Sequence, residues 1–329
     1  KISGTKYNIF GIQTGVAIIF LVRDPKLEGC DIRYMALDDF LPAEDKRRWL
    51  AAHTLERLAR NGELTRIEPN ARGDWLNQPE HDWSSWLPVA SKDGKVGKTD
   101  EVIFRLFASS IKTNRDEWVY DFSKSVLSRK ARYLIDAFNR QLEKGTTDDK
   151  DLDYSIKWSS TLKTRRSKLV HNSKLAVISV WRPFVRKFYY AEKALSDRLT
   201  GLHYQIHGNK LSSQSLMMCI SGGSAMKPFQ TLVISGPSDY ECVEKNQLLP
   251  SWVYVNDQRH DNITDWALRQ FQDRYADETV TRRDIFDYVY AVLHDPDYRE
   301  KYALNLKAEF PRIPFYPDFH QWAAWGRRL

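Results

Sequence analysis

One stretch constrains this chain more than any other. From Tyr154 to Ala191 the sequence reads YSIKWSSTLKTRRSKLVHNSKLAVISVWRPFVRKFYYA, with nine Lys/Arg and no Asp or Glu. The whole 329-residue chain nets only +7, so this block carries more positive charge than the total and the rest is slightly acidic. A one-sign block of this length repels itself on a folded surface unless a polyanion meets it. Trp158, Trp181, Phe184, Phe188, Tyr189 and Tyr190 stand among the cations. Cations interleaved with rings are what phosphate contact and base stacking require. A solvated basic face over ordinary core aromatics explains the composition about as well.

Composition narrows the class. Hydrophobic content of 42% with eleven Trp belongs to a globular chain, and the length allows two domains or one elaborate one. Cys30, Cys219 and Cys242 are odd in number and far apart, which indicates neither a disulfide framework nor a structural zinc site and favours the cytosol. No apolar run reaches the roughly 20 residues of a membrane span, so no membrane is expected as a partner. No secretory signal opens the sequence. The first residue is Lys and a strand-like segment follows at once, as expected of a piece of something longer.

In order, Gly15 to Arg23 (GVAIIFLVR) is a continuous β-branched run that predicts a strand covered on both faces, forming a hairpin with Asp31–Leu37 across Asp24-Pro25 and Gly29. Pro42-Ala43-Glu44 opens a helix to about Arg60, with Trp49, Leu55 and Leu58 as its buried side. Residues 61–100 read as a structured, irregular connection, and Val102–Phe107 as a short strand. Ala131, Leu134, Ile135, Phe138 and Leu142 keep the 3.6-residue period and predict a helix from about Ser123 to Glu143. Strands are expected near Ala176–Val180, Lys187–Tyr190, Ser215–Ile220 and Gln230–Ile234, then a loop with some strand character over Asn246–Asp261. The tail is helical, with a start bracketed by Asn262 and Asp265 and a capping box at Thr281-x-x-Asp284 before Ile285, Tyr288, Val289, Val292 and Leu293.

Four short motifs could carry chemistry. The run N-I-F-G-I-Q-T-G from Asn8 puts Phe10 and two glycines at the mouth of the first strand, where a ring could stack on an extruded base; a core Phe with turn glycines is the commoner explanation. Lys112, Thr113, Asn114 and Arg115 lie on a loop before a helix, suited to phosphates and base edges, or to a solvated turn. Arg182, between Trp181 and Pro183, is restrained as a base-reading or phosphate-binding Arg should be, or simply packs over the core. Ser221-Gly-Gly-Ser224 with Lys227 could form an anion nest, although a plain hairpin loop is favoured. With the basic block, the candidate DNA-binding residues are Lys112, Thr113, Asn114, Arg115, Lys157, Trp158, Lys163, Arg165, Arg166, Lys168, Arg182, Arg186, Lys187 and Lys227, with Phe10 as a base-stacking candidate.

The missing motifs bound the chemistry. There is no Pro-Pro pair, hence no Asn/Asp-Pro-Pro-Tyr/Phe, and no glycine-rich loop after an early strand to hold S-adenosylmethionine. No H-E-x-x-H, G-x-S-x-G or Walker sequence occurs, and the eight His show no ligand spacing. Neither a metal site nor a complete catalytic set is legible.

Taken in order, IFGIQTGVAIIFLV, SSIKTNRDEWVYDFSK, WRPFVRKFYY and NITDWALRQF…IFDYVYAVLHDPDYREKYALNLKAEFPRIPF resemble the C-terminal third of type ISP restriction–modification enzymes. Those are single chains joining a nuclease, a helicase-like translocase, an N6-adenine methyltransferase and a target recognition domain. The resemblance covers nearly the whole chain. It implies that residues 1–45 are the last strands of a Rossmann-like methyltransferase sheet, an α/β edge whose Phe10 matches the aromatic that stacks on the flipped adenine. It further implies a connection over 46–100 and, over 101–329, a larger α+β target recognition domain ending in a helical bundle. Duplex DNA is the implied partner, beside the methyltransferase, translocase and nuclease domains of the same bacterial, cytoplasmic parent chain. S-adenosylmethionine serves the parent, and none is expected on this chain, which lacks the catalytic and cofactor motifs and should not methylate alone. The alternatives are an RNA-binding or protein-interaction module with a basic surface, and a free-standing hydrolase, for which no acid–base pair presents itself.

Overall fold

The computed structural model describes the chain except residues 1–4, 13–14, 27, 39, 71–72, 77–80, 146–155, 157, 159, 212–214 and 224. It has two compact units, residues 1–78 and 79–329.

In the first unit, helix Ala43–Ala52 carries the loop before it. Lys46 Nζ donates to the Tyr7 carbonyl at 3.0 Å and Arg47 to the Ile9 carbonyl at 2.8 Å. The helix expected to run on to Arg60 breaks at His53 and restarts as Leu55–Arg60, capped by the Thr54 hydroxyl. Leu58 is buried, whereas Leu55 is exposed and Trp49 half-buried, its ring stacked on His53. The short strand Ile32–Tyr34 pairs antiparallel with Thr65–Ile67, not with Gly15–Arg23 as expected. The described residues of that apolar run form no strand, and Leu21 and Val22 are among the most exposed side chains of the molecule. A strand needs a neighbour for its backbone N–H and C=O groups, and none pairs with this run among the described residues.

The second unit holds three apolar clusters. The first gathers Trp83, Leu87 and Val89 with Phe104, Ile263 and the tail helices. Residues just before 101 are thus part of this core, and the strand Leu87–Pro88 pairs with Arg312–Ile313. Helices Asp265–Tyr275, Arg282–Val292 and Phe319–Arg328 close it. Thr281 and Asp284 form the expected capping box, and Ile285, Tyr288, Val289, Val292 and Leu293 are fully buried. Gly326 lets the last helix approach the second: an added Cβ would sit 1.8 Å from the Asp287 carbonyl oxygen.

The second cluster is built on helix Lys124–Glu143, whose first turn is capped by Ser123 and whose Ala131, Leu134, Ile135 and Phe138 face inward as their period requires. They pack against a three-stranded antiparallel sheet ordered Tyr120–Asp121, Val185–Tyr190, Ala176–Arg182. The third cluster lies on a four-stranded antiparallel sheet ordered Ala108–Ser109, Gln247–Pro250, Leu216–Ile220, Thr231–Ser235. Val102–Phe107 makes only a one-residue bridge, Phe104 to Ile263; the strand of that region is Ala108–Ser109. The stretch expected to be a loop with some strand character, Asn246–Asp261, is mostly strand: it holds three, the last two joined by Asn256 and Asp257 at φ 50° and 61°. Small polar residues with positive φ at both turn positions are what a tight hairpin demands.

Candidate nucleic-acid interface

The basic block divides once folded. Trp158 turns into the second cluster, where its indole N–H donates to Gln141 Oε1 at 2.7 Å and its ring meets Phe138 edge-on. Tyr189 and Tyr190 are fully buried. These rings are core and cannot stack on a base, which corrects the expectation for Trp158. Lys163, Arg166, Lys168 and Arg186 are exposed, Arg165 partly so. Arg165 Nε donates to the Ser167 carbonyl at 2.8 Å, and Lys168 pairs with Glu143 at 2.5 Å, a weak tie between two exposed chains. Lys157 lies outside the described residues.

The strands Ala176–Arg182 and Val185–Tyr190 form a hairpin joined by two residues, Pro183 and Phe184. Its turn end meets the K-T-N-R-D loop. Asp116 accepts from the Thr113 hydroxyl, accepts from the Trp181 indole N–H at 3.4 Å, and lies 3.9 Å from the Arg182 guanidinium. Arg182 also donates to Asp239, whose side chain is almost wholly buried, and lies 4.3 Å from the Trp181 ring centroid. Burial first, and then the negative Asp116, push the Asp239 carboxyl up to about 6, with Arg182 pulling the other way. The loop carrying Asp239 is stitched to both motifs: Val180 accepts from the Asp239 amide and Ile111 from the Tyr240 amide, each at 2.9 Å. Two motifs some 65 residues apart in sequence therefore make one rigid corner.

Within that corner the roles differ from those expected. Arg115 points inward, donating to the Leu195 carbonyl at 2.7 Å and pairing with Asp197 at 3.4 Å, and Thr113 is buried too. Both hold the loop and are not available to an incoming ligand. Asn114, at φ 55°, is exposed and bonds Asp197. Lys112 is half-buried, its ammonium 5.7 Å from the Tyr240 ring centroid. Lys187 lies 3.3 Å from the Trp181 ring centroid and 4.8 Å from that of Phe122. Desolvation, then the nearby Lys130 and Arg182, hold its pKa below that of an ordinary lysine. Lys227 is exposed, but its backbone amide and that of Met226 are already taken, Glu244 accepting from them at 3.1 and 2.7 Å; Ser224 lies outside the described residues. In the other unit Phe10 is 65% exposed, its amide bonded to Asn8 Oδ1 at 2.9 Å.

Several side chains escaped sequence reasoning. Asp116 and Asp239 set the corner, and Phe122 is 68% exposed against Lys187. Trp118 and Tyr133 stack at 5.5 Å and line a shallow cleft with Arg129 and Lys130. Phe184 is 89% exposed at the hairpin tip. The sole forward signal for these was density of rings and cations around the two motifs. Among the described residues, no group of three or more His, Cys, Asp or Glu could hold a metal, and no helix is long and apolar enough to cross a membrane.

A mixed α/β unit of small antiparallel sheets and packed helices, displaying a cation-rich hairpin beside an internally neutralised corner, is the class that the fold and site define. Residues 102–329 match the family model described as the Type ISP C-terminal specificity domain, and the chain belongs to that family. It is similar to DrdV in a DrdV–DNA complex seen by cryo-electron microscopy, at 37% identity and TM-score 0.80 over 91% of this chain and 30% of that one. It is also similar to a nuclease-deletion mutant of the Type ISP restriction-modification enzyme LlaGI in complex with a DNA substrate mimic, at 28% identity and TM-score 0.72, covering 93% of this chain and 24% of that one. The ATP-dependent Type ISP restriction-modification enzyme LlaBIII, bound to DNA, matches at 26% identity and TM-score 0.80 over 99% of this chain and 22% of that one. This chain thus spans less than a third of the length of each of these three. No curated protein matches it.

Proposed function

We propose that this chain reads DNA sequence as the specificity portion of a restriction–modification enzyme that methylates adenine N6 with S-adenosylmethionine. The observation that carries the reading is the acid-free block of nine cations, of which Lys163, Arg166, Lys168, Lys174 and Arg186 stand exposed. Phosphate contacts by such residues set register and supply affinity, while exposed polar and aromatic groups read base edges. The DNA complexes of DrdV, LlaGI and LlaBIII support duplex DNA as the ligand.

The methylating chemistry belongs to the parent in this reading, with its methyltransferase, translocase and nuclease domains and a bacterial cytoplasmic setting. Residues 1–45 are the edge of its methyltransferase sheet, and the exposed run Gly15–Arg23 becomes a strand only where neighbours from elsewhere in the parent pair with it. Phe10, exposed beside Gly11, stacks on the extruded adenine. S-adenosylmethionine serves the parent in this reading, and none is assigned to this chain, whose sequence carries no cofactor motif. No methyl-transfer step is assigned to it.

The test is selection of bound sequences from a random duplex library, followed by competition with single-stranded RNA. Enrichment of one duplex motif, undisturbed by RNA, is expected. Preferential capture of unpaired RNA would replace this reading with the RNA-binding alternative.

A further inference from the structure

Phe184 occupies a position that nothing inside the fold explains. The turn Pro183-Phe184 places it at φ 62°, in the left-handed region where a bulky side chain is rare and glycine is at ease. Left-handed turn residues with large side chains persist where the surroundings over-determine them, and they concentrate at functional sites. Here the ring gains no burial in return, because it is 89% exposed. It borders a groove lined by Val180, Leu216, Leu232 and Arg186 without filling it.

The stem beneath the ring is fixed. Pro183 restricts the backbone, and Arg182 is held by Asp239 and lies against the Trp181 ring. Val180 is bonded through both backbone groups to the 237–239 loop at 2.9 Å. Arg186, on the returning strand and opposite Val180, is exposed beside the tip. A rigidly held, solvent-facing aromatic with a cation at its flank matches the apolar wedges that part stacked base pairs while neighbouring cations bind the backbone.

Resting on the DNA-reading function above, we infer that Phe184 inserts its ring between adjacent base pairs of the bound duplex and unstacks one step. The test uses the whole chain and a duplex selected from a random library, with 2-aminopurine placed in turn at each adenine. Phe184→Gly relieves the backbone and should melt no lower than the parent sequence. Its affinity for the selected duplex should fall roughly ten- to a hundred-fold, the worth of one lost base–ring contact. Its salt dependence should be unchanged, since phosphate contacts remain. The rise in 2-aminopurine fluorescence at one step should disappear with Phe184→Gly and persist with Phe184→Trp. Equal affinity and an undiminished fluorescence rise in Phe184→Gly would overturn the wedge and leave DNA reading intact. Failure of the unmutated chain to bind any duplex would overturn the reading on which the wedge rests, and the wedge with it.

Discussion

Arg182 and Asp239 form an ion pair in which the carboxylate side chain is only 4% exposed and the guanidinium one-third exposed. The pair fastens the hairpin that carries the exposed tip to the loop that also bonds Ile111 and Val180. Arg182 is thereby a fastening and cannot also be a free base reader. Replacing it with Ala strands a buried carboxylate already crowded by Asp116. Arg182→Ala should destabilise the second unit by about 2 kcal/mol, discounted from the fully buried case because Arg182 is partly solvated. Asp239→Asn keeps the geometry and removes the charge, so it should cost less. Urea unfolding of both variants checks the order.

His203 and His207 provide a pH signature. Burial, and then the neighbouring His203, hold His207 down to about 3, and burial lowers His203 as well. Both stay neutral in the folded unit while the unfolded chain takes up protons below 6.5. For His207, stability is therefore fully present above 6.5 and is lost as pH falls from there toward 3, at up to about 1.4 kcal/mol per pH unit, and the lowered His203 adds a loss of the same sign. Unfolding at pH 7.5, 6 and 5 should show a steeper loss for the native sequence than for His207→Gln.

Gly326 sets the closest helix contact. An added methyl group would collide with the Asp287 carbonyl at 1.8 Å, against backbone that cannot yield. Gly326→Ala should cost about 1–3 kcal/mol, although alanine favours helix elsewhere. Gly201, with open space around it, should accept Ala at little cost. Thermal melts of the two variants make the comparison.

Two members of the basic block should separate cleanly. Trp158→Phe loses the bond to Gln141 in the core and should lower stability without altering the salt slope of binding. Arg186→Ala removes an exposed cation and should do the reverse, leaving the melt unchanged while lowering the slope of log K against log salt by about one. Calorimetry and anisotropy on the same preparations read both.

Local patterns were legible where one element carries its own instructions. Helix Lys124–Glu143, with its Ser123 cap and inward stripe, and the Thr281–Asp284 capping box follow from spacing alone. Gly15–Arg23 was misread because an apolar run becomes a strand only beside a partner, and pairing is not a local property. Gln247–Asp261 hid its strands behind Pro250 and a polar turn, although Asn256-Asp257 signalled the hairpin. The site was half legible. Charge density marked the right region, yet which rings turn inward depends on a helix that packs on Tyr189 and Tyr190 from more than forty residues earlier. Reading Pro183 as a restraint on Arg182 also hid its larger consequence, the outward ring of Phe184.

The most direct measurement is fluorescence anisotropy of a labelled selected duplex titrated with this chain across a range of salt concentrations. Polycation contact with phosphates predicts affinity that falls linearly on a log–log plot, with a slope near −0.9 per phosphate neutralised. Binding that is absent, or that does not change with salt, would contradict DNA reading by the basic block.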